Sequence, residues 1–337
     1  MHHVRQSDAG TARYARGLAG ALRARGDIDV QEIGGGPRVR PGLRQKLLTA
    51  EQDFYWYPFQ GRKEAASLDA DVYHCPAVRA PVTRGKPPLV VTVHDLVALR
   101  FPDTMPRWTR FYSRATLDRM LAAADLIITP SADTANDLEQ MTDADPNCIR
   151  VIWNGIDEVF YEESAGAPAS ADPYILFVGT PEPRKNLQRL VNAVGDLWNR
   201  GLRYKLVVAG GGGWGSVNIA GAHVEHVGRQ RDEDLRRLYA GAACVAQVSL
   251  HEGFGLPVGE AMAAGAPVVI SREGALPEIA GNAAVVVDAY DERSIADGLE
   301  RAIADRGSLI ELGRKRAELF RWRECAAKHF DAYRSVL

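Results

Sequence analysis

Short, largely apolar runs recur along the chain, each followed by a stretch with helical periodicity. That alternation constrains the fold more than any single motif. In the second half the runs are YILFVG (174–179), YKLVVAG (204–210), AHVEHVG (222–228), CVAQVSL (244–250), APVVIS (266–271) and AAVVVD (283–288). Between them lie the helical patterns RKNLQRLVNAVGDLWNRG, DEDLRRLYAGA and PVGEAMAAG, and ERSIADGLERAIAD follows the last run. Strands this apolar are covered on both faces, which predicts a parallel sheet flanked by helices. The first half repeats the scheme with DIDVQEI (27–33), DVYHC (71–75), PLVVTVHDL (88–96), DLIITPS (125–131) and IRVIWNGID (149–157) as strands. TARYARGLAGALRAR and RWTRFYSRATLDRMLAAA read as its helices. The small, polar stretch EESAGAPASADP (162–173) reads as a linker. The fold class expected is α/β, with two doubly wound parallel-sheet domains in tandem around a central cleft. Ligands in such sheets bind outside the carboxyl ends of the strands.

Length agrees, since 337 residues exceed what one ordinary core organises. No apolar run approaches the ~20 residues that span a bilayer, and the opening MHHVRQSDAG has no apolar region of the signal-peptide kind. Cys75, Cys148, Cys244 and Cys325 lie far apart with no metal-ligand spacing, so reduced thiols and a cytoplasmic location are expected. Charge is uneven: residues 1–119 carry 19 Lys/Arg against 12 Asp/Glu, and the remainder 22 against 31. A basic front half suits an anionic ligand or membrane surface, or equally an ordinary solvated face.

The most informative stretch is HEGFGLPVGEAMAAGAPVV (251–269). It leaves a predicted strand through a glycine-rich turn and enters a short helix in which Pro257 suits the first turn and Gly265 the end. Gly253 and Gly255 let backbone approach a ligand closely, and the amides of Gly253, Phe254, Gly255 and Leu256 form a site for a phosphate. A plain strand–helix turn would also use glycines, but it leaves Glu252 and Glu260, one on each side of this electropositive turn, unexplained. A basic pair, Arg184 and Lys185, stands at the exit of YILFVG in GTPEPRKN, which begins Gly179-Thr180. Cations sit poorly at a helix start unless an anion compensates, so the pair suits a diphosphate and its departure. A second glycine run, AGGGGWGS, fits G-x-G-x-x-G as Gly210, Gly212 and Gly215. A dinucleotide fingerprint needs a helix directly after it, and the sequence moves instead to another strand; Gly212 can still line a ligand cleft.

Together these residues resemble the retaining family 4 glycosyltransferases of GT-B fold, with motifs nearest the mannosyltransferase-like members. The likeness rests on the two glutamates separated by seven residues in EGFGLPVGE, on AMAAGAPVV, FVGTPEPRKNL, VIWNGID, VTVHDL with RFP, and the closing RWRECAAKHFDAY. It spans nearly the whole chain. The resemblance implies that Glu252 contacts the transferred sugar and that Glu260 holds the nucleotide ribose. It implies that Arg184 and Lys185 bind the diphosphate beside the turn amides and Thr180. His94 then reaches the donor sugar, and Gly10, in DAGTARY, belongs to the loop facing the phosphates and acceptor. Domains follow over 1–160 (acceptor side), 161–320 (nucleotide sugar) and 321–337, a helix crossing back to the first domain. Two departures stand out: the strand that normally precedes the glycine loop is missing or short, and Ala12 replaces the loop's second glycine.

The reaction implied is transfer of a hexose from a nucleotide diphosphate sugar, GDP-mannose by preference, to a glycan, lipid or small-molecule acceptor with retained configuration. No metal and no cofactor beyond the co-substrate are expected, and no nucleic acid. The alternatives are a nicotinamide-dependent oxidoreductase using Gly210–Gly215 and a non-catalytic sugar-nucleotide-binding module. Residues 38–63, RVRPGLRQKLLTAEQDFYWYPFQGRK, set cations beside aromatics. They suggest peripheral contact with the inner face of an anionic membrane, or a segment that packs its aromatics inward.

Overall fold

Among the residues described, 10–34, 51–102, 116–162, 173–212 and 223–337 of a computed structural model, ten strands form two wholly parallel sheets. Met1–Gly155 with Trp322–Leu337 make one compact unit and Ile156–Arg321 the other.

The first sheet runs in simple sequence order, β1 (Tyr73–Cys75), β2 (Leu89–Thr92), β3 (Leu126–Thr129) and β4 (Ile149–Val151). Its residues alternate between two buried faces. Leu89, Val91, Ile127 and Ile149 enter one apolar cluster, while Val90, Leu126 and Ile128 enter another with Tyr14, Leu18 and Leu22 of the Gly10–Arg25 helix. Both faces being covered is why these strands read as continuous apolar runs. The second cluster is completed by the Trp322–Arg334 helix. A Cβ added at Gly17 or at Gly155 would stand 2.1 Å from the Trp322 ring, so both glycines exist to let the indole in.

The segment 27–33, expected as a strand, is not one. Ile28 and Val30 pack against the Trp322 cluster, yet Arg23 pairs with Glu32 and Arg25 with Asp27, and no described strand pairs with the segment. Its alternation matches the half-burial of Ile28 and Val30. Residues 52–60 form a π-helix that continues into Gly61–Ser67; Tyr57 is buried while Tyr55 and Phe59 are exposed. The rest of the basic segment, 38–50, and the linker residues 163–172 lie outside the described residues, as do Gly213 and Gly215. No helix among the described residues is long and apolar enough to cross a membrane.

The second sheet has the order β10-β9-β8-β5-β6-β7. Here β5 is Tyr174–Val178, β6 Lys205–Ala209, β7 Val224–Gly228, β8 Cys244–Gln247, β9 Val268–Ser271 and β10 Ala284–Val287. The chain builds β6 and β7 on one side of β5, then returns to build β8, β9 and β10 on the other. The strand order therefore reverses between β5 and β8, and a ligand crevice is expected at their carboxyl ends. One face of the sheet buries Phe177, Val208, Ala246 and Val269 under the Leu187–Asn199 and Glu292–Ala304 helices. Gly210 is required by packing: a Cβ there would lie 2.1 Å from the Gly179 carbonyl oxygen, where the exits of β5 and β6 meet. The glycine that opens the nucleotide-like run thus has a structural role of its own.

Candidate functional site

The exits of β5 and β8 are tied together by backbone before any charge is considered. Leu250 donates its N–H to the Arg184 carbonyl at 2.7 Å. Asn186, held in the left-handed region at φ 59°, donates its amide to the carbonyls of Val248 (3.0 Å) and Ala289 (2.7 Å). Pro183, Arg184 and Lys185 form one 3-10 turn on this staple, and the side chains of the basic pair are thereby aimed at the neighbouring exit loop.

There they meet Glu252. Lys185 Nζ donates to Glu252 Oε1, Arg184 donates to Oε2 at 3.1 Å, and Ser249 Oγ donates to Oε1 at 2.7 Å. Arg184 also donates to the His251 carbonyl and to Glu182 Oε1, each at 2.5 Å. The four charged side chains are nearly closed to solvent, Arg184 at 11% exposure and Lys185 at 13%. Burial alone would raise the Glu252 carboxyl, but Lys185 and Arg184 beside it, with the Lys185 and Ser249 hydrogen bonds, outweigh that and hold it at about 2. Glu252 is therefore an anion at every physiological pH.

The turn that follows is shaped by close approach. Gly255 sits at φ 92°, and a Cβ there would lie 2.6 Å from Leu276 Cδ2. The Leu256–Ala263 helix begins at the next residue and points its amino-terminal end at the strand exits. It closes with a paired cap, Gly265 N–H to Met262 O (3.2 Å) and Ala266 N–H to Ala261 O (2.9 Å), with Gly265 at φ 76°, as that glycine's position suggests. Phe254 turns its ring into the core, edge-on to Phe320 at 5.7 Å, so only its backbone is available to a ligand. Glu260, on the helix, is buried and accepts from the Tyr239 hydroxyl at 2.8 Å. Thr180 is partly buried just beyond β5, and Gly212 follows β6, with no atom of the described residues apart from its chain neighbours within 4 Å of where its Cβ would stand.

Glu252, Arg184 and Lys185 are thus brought together, and Glu260 is oriented separately. In the first unit, His94 lies just past the end of β2, partly buried, bonded through Nε2 to the Pro76 carbonyl (3.0 Å) and edge-on to Tyr14 at 4.7 Å. Burial lowers its pKa, against the Pro76 hydrogen bond, which raises it. Gly10 is the exposed first residue of its helix, and Ala12 is buried on it.

Sequence reasoning missed Glu182, Ser249 and Tyr239, and the exit loop of β9. Gly274, at φ 63°, passes so close to the first loop that a Cβ would lie 2.8 Å from the backbone of Glu252, and Ala275 donates to the Glu252 carbonyl at 3.0 Å. A signal was present: EGALP at 273–277 repeats the pattern of EGFGLP at 252–257.

Both halves of the chain match known families. Residues 9–160 match the family Glycosyltransferase Family 4, and residues 162–318 match Glycosyl transferases group 1. The O-antigen chain mannosyltransferase B of Escherichia coli is 29% identical over 286 residues, covering 78% of this chain and 74% of that protein. A D-inositol 3-phosphate glycosyltransferase of a Nocardioides species is 31% identical, covering 73% of this chain and 62% of its own length. Among solved structures, sucrose-phosphate synthase from Thermosynechococcus elongatus superposes with a TM-score of 0.75 at 23% identity, over 97% of this chain and 94% of that one. Anabaena HepE, solved with UDP and glucose, gives 0.70 at 16% identity, over 98% and 97%. With two parallel α/β units and both halves matched, the chain belongs to the glycosyltransferases of GT-B fold, a Family 4 amino-terminal half joined to a group 1 carboxy-terminal half.

Proposed function

We propose that the chain is a retaining hexosyltransferase that uses a nucleotide diphosphate sugar and needs no metal ion. The observation that carries this reading is the buried cluster of Glu252, Arg184 and Lys185 at the point where the strand order reverses. Arg184, Lys185 and the amides at the start of the Leu256–Ala263 helix can neutralise the charge that develops on a departing diphosphate. That is the work a divalent cation would otherwise do. Glu252, ionised at every working pH, stands ready to hold the sugar and to favour positive charge at the anomeric carbon. Glu260, set by Tyr239, is the proposed ribose ligand. Thr180, Gly212 and the Gly10 helix start complete the donor-side proposal.

GDP-mannose is the preferred donor on the strength of GTPEPRKN and of the mannosyltransferase relative. A thermal-shift screen with GDP, UDP and dTDP tests it. Stabilisation by GDP above the other two is expected, and a response to UDP or dTDP alone would discard the mannose assignment. Stabilisation by reduced nicotinamide cofactor instead would favour the oxidoreductase. Peripheral contact with an anionic membrane belongs to the same proposal, since Tyr55 and Phe59 are exposed beside Lys63. Flotation with anionic vesicles at low salt checks it, and absence of binding there would end it.

A further inference from the structure

We propose that Glu252 is an internal stand-in for the donor's diphosphate, so that donor binds by exchanging with a carboxylate already seated on Arg184 and Lys185. The inference rests on the diphosphate role proposed for those two cations. It goes beyond that role because it assigns Glu252 a second task, competition, before any sugar is held.

The geometry that points to it is the mutual neutralisation of four side chains. Arg184 and Lys185 carry two positive charges, Glu182 and Glu252 two negative ones, and the pairs are all within direct contact. A diphosphate that met this cluster unchanged would find no net positive charge and little exposed cation. One carboxylate must leave for the phosphates to enter. Glu182 is fixed two residues from Arg184 on the same turn and is paired with that cation alone. Glu252 reaches across from the next loop and holds both cations. It is the group whose release frees the most charge. Its remaining side-chain tie, the Ser249 hydroxyl, is neutral and lets the carboxylate swing once the cations are taken.

The exchange has a use. A carboxylate lifted from the cations by the diphosphate becomes free to meet the sugar attached to it, so the site arms Glu252 only when a diphosphate is in place. Nucleoside diphosphate binding is correspondingly weakened by the work of parting buried ion pairs.

The test is calorimetric titration of GDP and of UDP into the full chain and four variants, Glu252→Gln, Glu252→Asp, Glu182→Gln and Lys185→Ala. Glu252→Gln keeps the size and the hydrogen bond to Ser249 but removes the competing charge. It should bind the preferred diphosphate about tenfold tighter or more, since one pair contact removed is commonly worth that factor. Glu252→Asp, too short to hold both cations, should move the same way by less, and serves as the second reading should the glutamine variant fold poorly. Glu182→Gln should gain least. Unchanged or weaker binding in both Glu252 variants overturns the exchange, and so does an equal gain in Glu182→Gln, which would mean a general field effect. Undiminished binding in Lys185→Ala overturns the diphosphate reading itself, a result separate from either of these.

Discussion

The two units have parallel sheets of the same kind and differ in where their buried charges gather. In the second, charges are concentrated at strand exits: Glu182, Arg184, Lys185 and Glu252 come from two loops brought side by side by the reversal between β5 and β8. In the first, the described strands follow sequence order with no reversal; the buried carboxylates Asp53 and Asp137 pair with the partly exposed Arg79 and Arg100, and the network joining the Trp322–Arg334 helix to the sheet is uncharged. The Tyr14 hydroxyl bonds Thr92 (2.9 Å) and His329 (2.7 Å), and His74 bonds Thr92 (2.8 Å) and Tyr333 (2.7 Å). The lesson is that charges gathered from two neighbouring strand exits and an uncharged network under a helix do different work. The ion pairs at the strand exits of the second unit are the groups on which the proposed exchange acts, whereas the first unit's net of hydroxyls and imidazoles fixes one helix against a sheet.

The contrast is broken most forcefully at Trp322. Trp322→Ala should destabilise the first unit by about 3–5 kcal/mol, the usual cost of emptying a buried indole site. Denaturant unfolding followed by circular dichroism should split into two transitions, with the second unit keeping its own. Gly17→Ala in the intact chain should cost about 1–3 kcal/mol by overpacking. In the Trp322→Ala background the same change should turn neutral or stabilising, because alanine is then simply the better helix former. A cost that stays the same in both backgrounds would show that Gly17 is not there for the indole.

Acid should separate the units next. Burial, with a smaller contribution from His94, holds His329 at about 4, and burial with the neighbouring His329 and His94 holds His74 well below its ordinary value. The unfolded chain takes up these protons near pH 6.5 and the folded one does not. The stability they confer is therefore complete above about 6.5 and falls as pH drops toward 4, by about 3 kcal/mol for one histidine. Glu252 is shifted in the same direction but from a lower starting value, from 4.5 down to about 2, so its contribution is complete above 4.5 and is lost only below that. At pH 5 the first unit should be weakened with the Glu252 cluster intact. Melting curves at pH 7 and pH 5 read the difference, and His329→Gln should flatten it.

Legibility follows the same divide. The turn glycines, Glu252, Glu260 and the basic pair are each local, carried by motifs of ten residues or fewer, and a strand-exit rule suffices to place them. Their mutual contact was not legible. That Arg184 and Lys185 would seat themselves on Glu252 depends on β5 and β8 being neighbours, which no local pattern states. The first unit's network was invisible because Tyr14, His74, Thr92, His329 and Tyr333 lie far apart in sequence, and each alone reads as an ordinary core or loop residue. DIDVQEI misled for a related reason: alternation records which side is buried, and Ile28 and Val30 alternate inward without belonging to any of the described strands.

The central claim is that sugar transfer depends on the Arg184–Lys185–Glu252 cluster, and initial rates test it most directly. Release of nucleoside diphosphate from the donor chosen by the thermal-shift screen should be measured for the parent chain and for Lys185→Ala, with and without excess EDTA. The parent rate should be unchanged by EDTA. Lys185→Ala should lose about 100-fold or more in kcat, the scale for removing one stabiliser of developing charge. Full activity in Lys185→Ala, or a parent rate abolished by EDTA and restored by a divalent ion, would contradict the account.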